Sequence, residues 1–131
     1  MSDSKNRQTI IYWVLTGVIV VSQGLSGFMD LIGADAIKEG ILALGYPPYL
    51  LNILGPAKLA GVAVIAAPGL PRLKEWAYAG FVIDFTGAFA SHAFSGDGAG
   101  LLAPPLVLLV VLLGSYATRP ANRRLAGASK E

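Results

Sequence analysis

Along this chain the hydrophobic positions come in long runs, and short polar or Pro/Gly-rich stretches separate them. Four runs stand out, at residues 10–29, 49–67, 76–94 and 101–117. Each is about 17–20 residues, which at helical rise matches a hydrocarbon core of roughly 30 Å. Backbone polar groups within lipid must be satisfied inside their own segment, so the runs predict four transmembrane helices. Pro47-Pro48, Pro68-Gly69-Leu70-Pro71 and the Gly-rich stretch 95–100 mark the turns. Between the first two runs, Ala34, Ile37, Ile41 and Leu44 recur at helical spacing, with Asp35, Lys38 and Glu39 on other faces. Gly45 and Pro47-Pro48 end that pattern, so the outer loop 30–48 is expected to hold a short amphipathic helix on the membrane surface or over the bundle mouth. The fold class expected is an all-α membrane protein: a four-transmembrane-helix bundle forming one domain over 1–131.

Composition agrees with that class. Residues of the AVILMFWYC set make up 54% of the 131 and charged residues only 14%, too few to coat a water-soluble surface. The net charge of +2 on so apolar a chain excludes disorder. The absence of cysteine excludes disulfides, thiolate metal sites and thiol nucleophiles. Lys5, Arg7, Arg72, Lys74, Arg119, Arg123, Arg124 and Lys130 fall on one side of a four-span fold and only Lys38 on the other, so both termini are expected in the cytoplasm. A cleavable signal peptide is not expected, because the first apolar run lacks a small-residue cleavage site and continues to Met29. The tails 1–9 and 119–131 read as frayed, with Arg119, Arg123 and Arg124 holding the last span to anionic headgroups rather than binding nucleic acid.

Polar residues inside the spans are the candidates for function. Lys58 is nine residues from either end of the second span, and Asp84 lies about 12 Å into the third. An antiparallel hairpin puts them at similar depth, where each alone would cost about 2.5–3.5 kcal/mol. They read as a ligand-binding or proton-responsive pair, or as an ion pair that fixes helix register. Thr16, Gln23 and Asp30 are spaced by seven and share one face of the first helix. Asn52 stands four residues before Pro56, which leaves its carbonyl without an intrahelical donor. His92 lies eight residues beyond Asp84. Gln23, Asn52, Lys58, Asp84 and His92 together are expected to line a polar pocket. One histidine and no cysteine make no closed metal site, and no hydrolase triad or phosphate loop is present. Glycines at 17, 24, 55, 61, 80 and 87 permit close helix packing.

The segment Leu44-Gly45-Tyr46-Pro47-Pro48-Tyr49-Leu50 leading into Leu54-Gly55-Pro56-Ala57-Lys58-Leu59-Ala60-Gly61 resembles the DoxX-like family of small bacterial membrane proteins. So do the run from Pro71 through Lys74-Glu75-Trp76-Ala77-Tyr78-Ala79-Gly80-Phe81, the following Asp84, Gly87-Ala88 and Ser91-His92, and the closing Ser115-Tyr116-Ala117-Thr118-Arg119-Pro120. The resemblance implies a four-helix bundle in the bacterial inner membrane, with Lys58, Glu75, Asp84 and His92 as shared polar positions of unassigned role. The wider group includes membrane subunits of a thiosulfate:quinone oxidoreductase, so quinone is the cofactor it suggests, though no cysteine is here to handle sulfur. Three functions are weighed, in this order. The first is a non-enzymatic membrane module that binds a lipid-like or quinone-like molecule, or supports a membrane redox partner. The second is a proton-coupled small transporter using Lys58 and Asp84, which would need a homodimer. The third is a quinone-linked oxidoreductase subunit.

Overall fold

The computed structural model describes residues 2–125; Lys130 lies outside them. It contains five α-helices and a terminal 3-10 turn, with no strand among the described residues. α1 spans Ser2–Ile32, α2 Asp35–Ala43, α3 Leu50–Ala66, α4 Pro71–Phe94 and α5 Ala99–Ala117, and the 3-10 turn covers Ala121–Arg123. α1 packs on α3 and α5, and α4 packs on the same two helices, so the four long helices close into a ring in the order α1, α3, α4, α5.

Local sequence explains the boundaries. α4 starts with Pro71 at its first turn, where a missing N–H costs nothing, after a turn in which Gly69 and Leu70 both have positive φ. α3 passes through Pro56 without ending, and leaves the Asn52 carbonyl without that donor. Gly33 and Gly45, at φ +65° and +87°, close α1 and α2 in the left-handed conformation that glycine adopts freely. α2 is the amphipathic helix expected from the loop: Ala34, Ile37, Ile41 and Leu44 are half-buried, while Asp35, Lys38 and Glu39 are exposed.

Two boundaries differ from the sequence reading. α1 begins at Ser2, so the first tail is helical, and it continues past Met29 to Ile32, so Asp30 belongs to the helix rather than to the loop. At the other end, 119–124 is not a frayed tail. Arg119 and Arg123 are buried, and the 3-10 turn folds back under the bundle.

The core is narrow. Ile19, Ile65, Tyr78, Phe81, Phe85 and Leu112 form its centre. Close approach of α1 to α3 comes from Gly27 and Gly55: a Cβ on Gly55 would sit 3.0 Å from the Leu31 backbone nitrogen and 3.1 Å from the Gly27 carbonyl oxygen. Every long helix also turns large apolar side chains outward, for example Val21 at 71%, Ile53 at 57%, Ile83 at 72% and Val110 at 64% exposure. So continuous an apolar exterior suits a lipid solvent better than water. By length and hydropathy α1 and α5 are sufficient to cross a membrane, and α3 is a shorter apolar helix of 17 residues. In α4 the charges of Arg72, Lys74, Glu75 and Asp84 dilute the apolar run.

Candidate functional site

The polar face read from Thr16, Gln23 and Asp30 points into the bundle: the three residues are 0%, 4% and 3% exposed. Helix geometry places them about 10 Å apart along α1. Each level meets different partners. Midway along α1, near the end where α5 finishes, the Thr16 and Ser115 hydroxyls lie 2.6 Å apart, and Tyr78 Oη lies 2.7 Å from the same Ser115 oxygen, which ties α1, α4 and α5 together. Near the other end, Asp30 meets α3.

Lys58 is the residue Asp30 meets. Its ammonium donates to Ser26 Oγ at 2.9 Å and lies 2.9 Å from Asp30 Oδ2. The contact with Asp30 is an ion pair without hydrogen-bond alignment, and Asp30 Oδ2 is a buried oxygen with no hydrogen-bond donor. The placement is also adverse for the helix. Asp30 sits in the last turn of α1, which contains no basic residue, at the end where backbone carbonyls already concentrate negative charge. Lys58 offsets that charge from the middle of α3.

Asp84 comes to the same region from α4. Lys58 and Asp84 both line a groove of about 310 Å³ between α3 and α4. Its walls are otherwise apolar, with Leu54, Val64, Leu73, Trp76 and Phe81 among them, and the exposed Gly80 is also part of the lining. A Cβ on Gly80 would meet nothing within 4 Å. The groove therefore runs from the exposed Trp76, near the start of α4, to the charged pair, and opens sideways along the bundle wall. Among the described residues the Asp84 carboxylate forms no hydrogen bond or ion pair, in contrast to Asp30.

The five residues expected to share one pocket are thus distributed. Lys58 and Asp84 share the groove. Gln23 is buried on the inner face of α1, outside the groove lining. Asn52 is exposed on α3, outside the groove lining. His92 lies at the α2 end of α4, where its Nδ1 is 2.7 Å from Asp97 Oδ2. There Tyr46 Oη, 2.6 Å from Ser91 Oγ, fastens the loop after α2 to α4. Among the described residues no cluster of three or more His, Cys, Asp or Glu forms a metal site.

A second polar assembly, not anticipated, sits at the basic end. The last carbonyls of α3 have no intrahelical donors and collect two cations instead. Lys74 Nζ donates to the carbonyl oxygens of Val64 and Gly69, each at 2.7 Å, and to that of Ala67. Arg123 Nη2 donates to Ile65 at 2.7 Å, with Ala66 and Ala67 at 3.2 and 3.1 Å, and its Nε donates to Tyr12 Oη at 2.8 Å. Burial, and then the Arg123 charge, pull the Lys74 ammonium below its ordinary range. Glu75 accepts from Arg119 Nη1 at 2.7 Å and from Tyr116 Oη at 2.6 Å. Burial works to raise the Glu75 carboxyl, but these two hydrogen bonds and the Arg119 charge outweigh it and hold it below its ordinary value. Arg119 and Arg123 are spent on the bundle itself, in place of the headgroup role read from sequence.

A model of the DoxX-like family matches residues 14–115, which takes in the groove, both of its charged residues and Asp30. The chain belongs to the DoxX-like family. Comparison with curated proteins and with solved structures finds no match. Membership together with the apolar helices supports a membrane protein, as the outward-facing side chains do. In this DoxX-like chain the charges inside the bundle are assembled from three helices: Asp30 from α1, Lys58 from α3 and Asp84 from α4.

Proposed function

We propose that this DoxX-like protein is a non-enzymatic four-span module of the bacterial inner membrane, with both termini in the cytoplasm, and that it binds a lipid-soluble small molecule in the α3–α4 groove. The observation that carries this reading is the groove: an apolar trough of about 310 Å³ that ends on Lys58 and Asp84. Few polar groups in an apolar cleft of this size is the usual pattern of a small-molecule site. The trough opens along the bundle wall, so a ligand would enter from the bilayer, its apolar body past Trp76 and its polar head at Lys58. A quinone or another lipid with a polar head fits that description, and so does support of a membrane redox partner through the bound molecule. Lys58 has ammonium protons beyond the one given to Ser26, and these can be donated to a ligand oxygen.

The test is mass spectrometry of small molecules that co-purify with the gently solubilised protein, wild type against Gly80→Phe. Gly80 lines the groove and has open space where a Cβ would go, so phenylalanine there adds a ring at the groove with no clash at its Cβ. A molecule retained by wild type and lost from Gly80→Phe supports the reading. The same lipid profile in both contradicts it.

A second reading, a proton-coupled transporter, draws on one observation: an unpaired carboxyl, Asp84, beside an ion-paired ammonium inside the bundle. Proton flux in liposomes that is unchanged in Asp84→Asn would exclude it.

A further inference from the structure

We infer that the ligand class of the groove is a lipophilic organic cation, held by Asp84 in exchange for a proton. The inference rests on the groove being a ligand site, as proposed above, and follows from a count of charge. Three ionisable side chains lie at or behind one end of the groove: Lys58 and Asp84 line it, and Asp30 pairs with Lys58 from α1. Asp30 and Lys58 are 2.9 Å apart, buried to 3% and 14% exposure, and cancel. Asp84 is left over. It faces the groove from α4, with Lys58 facing it from α3 and Asp30 behind that from α1, and the stretch of α5 within the bundle has no charged residue. Ionised together, the three carry a formal charge of −1 inside an apolar wall, which is costly in a lipid surrounding. One positive charge brings the site to zero, and either a proton on Asp84 or a cationic ligand supplies it.

The wall suits the second choice. Trp76 and Phe81 line the groove, and aromatic faces attract organic cations. The remaining lining is aliphatic, so the cation must be one with little hydration to lose: a charge spread over or shielded by apolar groups, rather than a metal ion or a simple ammonium. Ser26 holds Lys58 against α1, with an N–H···O distance of 2.9 Å, so the lysine stays paired with Asp30 and does not compete for Asp84. A bound cation and a proton on Asp84 exclude each other, so binding of one releases the other.

The experiment uses the full chain in nanodiscs, with Trp13→Phe so that Trp76 is the only tryptophan and reports from the groove. Three probes of comparable apolar character are titrated: tetraphenylphosphonium, the equally large anion tetraphenylborate, and neutral decylubiquinone. Empty nanodiscs and Gly80→Phe give the background from partition into lipid. Saturable tetraphenylphosphonium binding is expected, at least about tenfold tighter than tetraphenylborate. About one proton should be released per cation in weak buffer, and affinity should rise by up to about tenfold per pH unit. Asp84→Asn should lose the proton release and at least about tenfold in cation affinity. Gly80→Phe should lose all three probes, and circular dichroism of both variants checks that the bundle is folded. If decylubiquinone binds saturably and the two ions bind alike, or if cation binding releases no proton, the inference is overturned and the groove reading stands. If no probe binds beyond the Gly80→Phe background, both fall.

Discussion

Lys58→Met separates a structural ion pair from a dispensable one. The ammonium lies 2.9 Å from Asp30 Oδ2 and donates to Ser26 Oγ at the same distance. At an effective dielectric of about 20, two unit charges at that separation attract by roughly 6 kcal/mol before desolvation is counted. Removing one partner of a buried pair typically costs about 3–5 kcal/mol, because the other charge is left unpaired. Asp30, with 3% exposure and no hydrogen-bond donor at Oδ2, has nothing else to turn to. Lys58→Met is therefore expected to destabilise the bundle by about 3–5 kcal/mol. Combining it with Asp30→Asn removes both charges, so the double variant should lie within about 2 kcal/mol of wild type. The assay is reversible unfolding by SDS in mixed micelles, followed by helical circular dichroism, as a double-mutant cycle. A coupling of about 2 kcal/mol or more between positions 30 and 58 is expected, and a smaller one between 58 and 84. Strictly additive losses at 30 and 58, or a cost below about 1 kcal/mol for Lys58→Met, would refute the pairing on which the site rests.

Three further outcomes follow from contacts elsewhere. Lys74→Met leaves the Val64 and Gly69 carbonyls without a donor and the Ala67 carbonyl with Arg123 alone, and should cost about 2–3 kcal/mol in the same unfolding assay. Gly55→Ala pushes a methyl group against the backbone of α1 and should cost about 1–3 kcal/mol, whereas Gly80→Ala, in open space, should be neutral or stabilise by up to about 1 kcal/mol. Glu75 has a carboxyl held below its ordinary value in the folded protein, so its contribution is present at neutral pH and is lost as pH falls through that lowered value. Glu75→Gln should be less stable than wild type at pH 7, with the difference closing in acid; a pH-independent difference would count against the Arg119 and Tyr116 contacts.

The readable and unreadable parts of this chain divide along physical lines. The half-buried positions of α2 were legible because an amphipathic pattern records which face is covered, whatever covers it. The spacing of Thr16, Gln23 and Asp30 recorded the inner face of α1 for the same reason. Equal depth of Lys58 and Asp84 was also legible, since a hairpin fixes register between its own arms. The partner of Lys58 was not, because it comes from α1, and the choice between two carboxylates depends on how closely α1 and α3 pack. Gly27 and Gly55 set that approach, and the seven-residue register that includes Asp30 was the signal available for it. The roles of Lys74, Arg119 and Arg123 were missed because a basic flank reads as a membrane boundary; only the fold shows that α3 ends in carbonyls these cations reach. Asn52 was grouped with the pocket for its free carbonyl before Pro56 and His92 for its eight-residue spacing from Asp84, and neither signal decides which way a side chain faces.

Whether the α3–α4 groove holds a lipid-soluble molecule can be tested directly, because the chain has no cysteine. Gly80→Cys puts the sole thiol among the residues that line the groove, while Gly87→Cys puts it about two turns further along the same face of the helix, outside the lining and also in open space. The rate of alkylation by a lipid-soluble maleimide is measured for each, before and after exhaustive detergent washing. Washing is expected to speed the reaction at position 80 severalfold and to leave position 87 unchanged. Equal rates at position 80 before and after washing, with position 80 as reactive as position 87 throughout, would mean that nothing occupies the groove.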